Sequence, residues 1–429
     1  MDISEEFLHF IWEQKLFNAN NLKTTTGEIV TVLNPGKLNR DAGPDFFNAL
    51  VKIDGTIWAG NIEIHLNASD WYKHHHQTDE AYSSVVLHVV RAPDQSVFRS
   101  NGDPIPTIVL EYPARLKENY QELLNAKLRI PCQPKFHQID PFLMRIGFNR
   151  LMVERLGEKT ATLEAALQYN NNDWEETFYQ LLARNFGFKI NSVPFELLAK
   201  ALPLKVIRKH GTHLDQLEAL FFGQSGLLHE ELLGDDYFLG LRNEYGFLYK
   251  KYHLKPIEGY LWKFLRLRPV NFPTIRIAQL AKLFCQQGEL FSKILDAENP
   301  EELYTIFDVR ASQYWDTHYR FNYMSVKKAK CLGREAIQNI MTNTIVPFLF
   351  VYGERNGKQH LKDKALDWLD KLPPEDNSIV RNWIMLGVEP RSAFDTQSLI
   401  QLQNRYCQQH NCLKCHIGFQ IIRQIEEKD

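Results

Sequence analysis

The sequence predicts an α+β protein, with an N-terminal mixed sheet flanked by helices and then a mainly α-helical C-terminal region. Three observations carry this. Residues 48–66 alternate with period two around Asp54-Gly55, a dipeptide that favours a tight hairpin turn. From Ala114 onward the apolar spacing turns helical, and no later strand signal is comparable. The composition, 44% hydrophobic and 24% charged over 429 residues, suits a soluble globular chain of two or three domains. Boundaries are expected at 1–125 for the α/β part, 126–298 for a helical domain, and 299–429 for a helical subdomain with a cysteine cluster. The last split falls at Asn299-Pro300.

In chain order, Ser4 caps an amphipathic helix to Phe17, with Phe7, Leu8, Ile11, Trp12 and Leu16 on one face. Glu28–Leu33 is the first strand. A polar loop, 34–43, leads into Asp45, and its Lys37 and Arg40 are placed to approach a phosphate. Asn48–Ile53 and Thr56–Leu66 form the hairpin. On the second strand Ile57, Ala59, Asn61, Glu63 and His65 share one face, with Ile62 and Ile64 on the other. Folding the hairpin back brings Asp45 to the Glu63 end. Two adjacent carboxylates repel, and a hard divalent cation such as Mg²⁺ offsets that cost. Next comes a short helix capped by Ser69 or Asp70, the run His74-His75-His76, and Asp79. Apolar strands follow at Ser83–Arg91, which carries His88, and at Thr107–Glu111.

The histidines allow three readings. His65, His76 and His88 form a metal site of their own; they position water and phosphate beside the two acids; or His74–His76 is a solvated turn. Asp70, His74, His76, Asp79 and His88 are grouped as a polar cluster.

Downstream, helices are expected at Phe142–Leu156, Asp173–Asn185, Pro194–Leu202 and His213–Phe222. The segment 262–276 interleaves aromatic residues with Arg266, Arg268 and Arg276. It is either a phosphate- and base-binding strip or buried aromatic core with paired arginines. Near the C-terminus, Cys407, Cys412 and Cys415 have a spacing suited to Zn²⁺, with His410, His416 or distant Cys331 as fourth ligand. The other reading is free thiols on one helix-turn.

Pro44-Asp45 opening one strand and Glu63-Ile64-His65 on the next resemble the PD-(D/E)XK nuclease superfamily. The order helix, strand, hairpin, helix, strand, strand is close to that fold. The resemblance implies that Asp45, Glu63 and the carbonyl of Ile64 hold Mg²⁺ or Mn²⁺, which activates water against a phosphodiester. It also implies an acid from the leading helix, for which Glu13 is the candidate. His65 departs from the pattern, standing where the superfamily usually has Lys. Some of these nucleases bind an iron–sulfur cluster through comparable cysteines, with the fourth lying before the nuclease core; here no cysteine precedes Cys132. Nearly the whole chain is also similar to a family of bacterial proteins catalogued as a domain of unknown function. Gly43-Pro44-Asp45-Phe46, Gly60–His65, Ser69-Asp70-Trp71, Val86–Val90, Trp262–Pro269 and Cys412–Cys415 carry that likeness.

The resulting expectation is a metal-dependent nuclease-like protein acting on DNA or RNA. The alternatives are a nucleic-acid-binding scaffold with an inactive nuclease fold, and a His-cluster metal hydrolase of another substrate. A net charge of −2 gives no global attraction to nucleic acid, so binding requires a local basic patch. The acidic start, the absence of a membrane-length apolar run and only six cysteines fit a cytoplasmic protein.

Overall fold

The computed structural model describes residues 3–228 and 234–424. These form two compact units, one of residues up to Gly147 together with those from Leu402, the other Phe148–Gln401. The sequence placed its boundaries near 125 and 298 instead.

The first unit holds the sheet. Its elements are helix α1 (Glu5–Glu13), strands β1 (Val30–Asn34), β2 (Lys37–Leu38), β3 (Phe46–Ile53) and β4 (Thr56–Asn67), helix α2 (Asp70–Lys73), strands β5 (Val85–Ala92) and β6 (Thr107–Val109), and helix α3 (Ala114–Asn125). The strand order is β1-β3-β4-β5-β6, with β2 paired to β3. β1, β3 and β4 run antiparallel, whereas β5 joins β4, and β6 joins β5, in parallel. The sheet is therefore mixed, as expected.

The hairpin turn forms because Asp54 and Gly55 both accept a left-handed backbone, at φ 44° and 89°. Ile53 pairs with Thr56 directly across it. Farther from the turn a one-residue bulge shifts the register: Ala49 pairs with Gly60, but Phe46 pairs with Ile62. Asn48 occupies the bulge at φ 58°, a conformation Asn tolerates better than most residues. Its N–H donates to Asn61 Oδ1 at 3.2 Å.

Side-chain alternation then sorts the two faces. Ile62, Ile64, Leu87 and Val89 point one way, all within 1% of full burial. Glu63, His65, His88 and Val90 point the other way and are also buried. Burial of both faces is what paired parallel strands require.

The second unit is helical, with one small hairpin of β7 (His318–Arg320) and β8 (Tyr323–Met324). Expected helices appear as Trp174–Phe186, Ser192–Ala201 and Leu214–Gln224. Asp173 caps the first of these by accepting the Glu175 and Glu176 N–H groups. The helix expected at 142–156 runs on to Tyr169 as α4 (Pro141–Tyr169). No described helix is long and apolar enough to cross a membrane.

Part of the 262–276 strip, with one of its three arginines, lies inside this unit. Trp262 is buried and donates from Nε1 to Ser225 O at 2.8 Å. Arg276 is buried too; its guanidinium donates to Gln279 Oε1 and Asn271 Oδ1 and lies 4.7 Å from the Phe188 ring centroid. Burial pulls its pKa down to about 10. A guanidinium fixed inside the protein does not meet a phosphate. Arg266 and Arg268 are exposed.

Candidate metal centre

The bulge decides what stands opposite Glu63. Were the register near the turn continued without it, Asp45 would face Ile64 and share the wrong side of the sheet. The shift places Asp45 across from Glu63 instead. Each acid is then held by the backbone of the other strand. The Asp45 N–H donates to Glu63 Oε2 at 3.0 Å, and the Ile64 N–H donates to Asp45 Oδ2 at 2.9 Å. Burial, and next the Asp45 charge, push the Glu63 carboxyl up to about 9.

Helix α1 adds two groups from its first turns. His9 Nε2 lies 3.1 Å from Asp45 Oδ2. Burial opposes the charged imidazole, but the Asp45 contact outweighs it and raises the His9 pKa. Glu5, one turn earlier, is raised by burial, while the Leu66 N–H it accepts and the neighbouring His74 work the other way. Glu5 and His9 are spaced i, i+4 and so share one helix face.

The histidines complete the centre. His76 Nε2 lies 3.2 Å and His65 Nε2 3.4 Å from Glu63 Oε1. His74 Nδ1 is 3.2 Å from His65 Nε2. Ligand atoms of His65, His74 and His76 all lie within 4.8 Å of one another. His75 at φ 62° turns the chain so that His74 and His76, on either side, reach the same place. Tyr82 stacks on His76 at 3.7 Å between centroids, and Trp71 meets its edge. His88, on β5 opposite Glu63, approaches His65 Nδ1 at 2.8 Å. The tautomer with Nδ1–H donating to His88 leaves the His65 Nε2 lone pair facing the other two histidines and Glu63. A second-layer partner that fixes a ligand's tautomer is the usual support of a metal-binding imidazole.

Burial, reinforced by neighbouring imidazoles, pushes His65 down to about 2 and His88 down to about 3. Both are thereby held neutral, and in the tautomer above the His65 Nε2 lone pair is the one left available. His76 Nε2 is buried without a hydrogen-bond partner despite its close carboxylate oxygen. Three imidazole nitrogens within 4.8 Å of one another, two of them 3.2 and 3.4 Å from a carboxylate oxygen, are a donor set that fits a divalent transition metal.

Of the residues singled out from sequence, Asp45, Glu63, His65, His74, His76 and His88 converge here. Ile64 takes part through its backbone N–H, with its side chain in the core. Glu13 does not join them: it is exposed at the far end of α1, and the helix contributes Glu5 and His9, which the sequence reading missed. Asp70 and Asp79 instead stabilise turns. Asp70 accepts from the Asn67 N–H and pairs with Lys73, and Asp79 caps the 3-10 turn Glu80–Tyr82 through the Ala81 N–H. Lys37 and Arg40 are exposed on β2 and on the loop entering β3. That loop is closed by Asn39 Nδ2 donating to the Asp41, Ala42 and Pro44 carbonyls.

Cys407, Cys412 and Cys415 are all buried, as is Cys132, and no disulfide links them. Cys331 is exposed, and His410 Nδ1 lies 3.3 Å from the Leu123 carbonyl oxygen.

No curated protein and no solved structure matches this chain. A family model described as "Protein of unknown function (DUF2851)" matches residues 5–378, which takes in the whole sheet and the histidine–carboxylate cluster. The chain belongs to that family.

Proposed function

We propose that the chain is a metal-dependent hydrolase of phosphodiesters in DNA or RNA, with Asp45, Glu63 and the histidine trio as its core. The observation that carries this reading is the pairing of Asp45 with Glu63 across adjacent antiparallel strands, ringed by imidazole nitrogens. The order α1, three antiparallel strands, α2 and a parallel strand supports a likeness to the PD-(D/E)XK fold. The donor set favours Mn²⁺ or Zn²⁺ over Mg²⁺, because imidazole suits borderline metals and Mg²⁺ prefers oxygen. Glu63, His65, His74 and His76 would hold the ion, with Asp45 beside it. A bound divalent cation supplies a Lewis acid and a water of lowered pKa.

The remaining roles fall to the chain's own groups. Buried and neutral, His65 suits a ligand rather than the cation that Lys provides in related motifs. His9, with its raised pKa, takes the cationic part: it stabilises charge building on the phosphate and passes a proton from Nε2 to the leaving oxygen. Lys37 and Arg40 sit exposed on the approach to Asp45, where they hold flanking phosphates. The nitrogen-rich donor set equally favours a second reading, hydrolysis of a different ester at the same centre.

The test is calorimetry with Mn²⁺ and Zn²⁺ on wild type, Asp45→Asn and Glu63→Gln, alongside cleavage of single- and double-stranded DNA and RNA. We expect metal affinity to fall at least tenfold in both variants, with cleavage lost. Equal affinity in all three proteins overturns the centre. Binding without cleavage, but with turnover of simple phosphate or carboxylic esters, favours the second reading.

A further inference from the structure

Four of the six cysteines gather far from the sheet centre's ligands in sequence but within the same unit. Cys132, Cys407, Cys412 and Cys415 are each 6–7% exposed. All six pairings of these thiols are close enough to interact electrostatically. None is in a disulfide. Four buried thiols drawn from separate stretches of one unit are an unusual way to fill a core.

The surrounding backbone is organised to hold them there. The segment before Cys132 is tied to the C-terminal segment by Gln403 Nε2 donating to Arg129 O at 2.6 Å, across 274 residues of sequence. Asn119 Nδ2 on α3 donates to the Ile422 and Gln424 carbonyls, and its Oδ1 accepts Lys135 Nζ. Between Cys407 and Cys412, His410 adopts φ 51° and reverses the chain. Cys412–Lys414 forms a single 3-10 turn, closed by the Cys415 N–H donating to Cys412 O. The C-terminal helix His416–Arg423 packs so tightly on this turn that a Cβ at Gly418 would stand 2.1 Å from Cys412 O. Only glycine fits there.

We propose that Cys132, Cys407, Cys412 and Cys415 form a structural tetrathiolate Zn²⁺ site that fastens the C-terminal segment to the sheet-bearing unit. A donor set of four buried cysteines matches a closed structural site rather than an open catalytic one. Without metal, burial and the neighbouring thiols hold Cys132, Cys407 and Cys412 protonated, the last near 12. Zn²⁺ loading therefore releases their protons to solvent as the thiolates form. A link between segments so distant in sequence constrains the unfolded chain most, which is where such a clip contributes most to stability.

The experiment is zinc release by an organomercurial thiol reagent, followed with a zinc-binding dye, on full-length protein purified without chelator. Wild type should release about one equivalent that only the mercurial liberates. Cys132→Ser and Cys412→Ser should each lose it, whereas Cys331→Ser should retain it. Glu63→Gln should also retain it, which separates this site from the histidine centre. Should the cluster variants fail to fold, cobalt substitution of wild type replaces them: sulfur-to-cobalt charge transfer is then expected. Wild type without mercurial-releasable metal, cobalt-loaded protein lacking that band, or iron with acid-labile sulfide would overturn the assignment.

Discussion

Glu63 is the residue on which the centre turns, and its titration gives a direct test in metal-free protein. Its folded pKa, about 9, lies above the ordinary 4.5, so the folded chain holds this proton more tightly than the unfolded chain. The stability it contributes is full below about pH 4.5 and is lost as pH rises toward 9. His65 and His88 act in the opposite sense. Their pKa values, about 2 and 3, lie below 6.5, so their contribution is full above pH 6.5 and is lost as pH falls. Urea unfolding of chelator-treated protein should therefore show midpoints falling from about pH 6.5 to 9 in wild type and nearly level in Glu63→Gln. Parallel decline in both proteins would mean that Glu63 is not the group responsible. At this scale the sequence was legible where chemistry and spacing coincide. Asp45, Glu63 and the histidine run stood out as unusual types in a short stretch. Glu5 and His9 did not, because a polar residue on a helix is ordinarily solvated. The i, i+4 row of Glu5, His9 and Glu13 held the signal, but nothing in the sequence told which end of the row faces Asp45.

At the scale of elements, the hairpin followed from Asp54-Gly55, and the turn formed as expected. The bulge was invisible, because a one-residue insertion is set by pairing with a partner strand and leaves no periodic trace. Yet it is the bulge that brings the two acids together. A β-branched residue at Asn48 should resist the left-handed backbone at a cost of roughly 1–2 kcal/mol. Asn48→Val is thus expected to lower the thermal midpoint and, by straightening β3, to weaken metal binding by an order of magnitude or more. Asn48→Gly, which accepts φ 58°, should keep both near wild type. Calorimetry and thermal melts of the pair check this, and equal losses in Val and Gly would show that the side-chain amide, not the backbone conformation, matters. The 262–276 strip shows the converse failure. Interleaved arginine and aromatic residues look alike whether they face nucleic acid or each other, and here Arg276 faces Phe188.

For the whole molecule, the informative feature is that the sheet unit is built from two separated stretches of chain. The sequence pattern placed 299–429 together because its helical period is continuous, and periodicity carries no record of which distant surface a helix packs on. The contact between Asn119 and the Ile422 carbonyl, 303 residues apart, is such a long-range choice. Ile417, Ile421 and Ile422 are all fully buried in this unit. Burying side chains of this size is worth about 1.5–3 kcal/mol each, so losing the three together removes on the order of 5 kcal/mol or more. That is comparable to the whole stability of a typical domain. A chain ending at Gln401 should therefore lose cooperative unfolding of the sheet unit and become sensitive to limited proteolysis within residues 20–110. It should also lose metal binding at Glu63 and the histidines, although every one of those ligands is retained. Ile421→Ala, a milder change, should lower stability by about 2–5 kcal/mol while leaving metal stoichiometry intact. Mass spectrometry of the proteolytic fragments, read with calorimetry on the same samples, distinguishes the outcomes. A truncated protein that resists protease and still binds metal would mean that the sheet and its centre stand without the C-terminal segment.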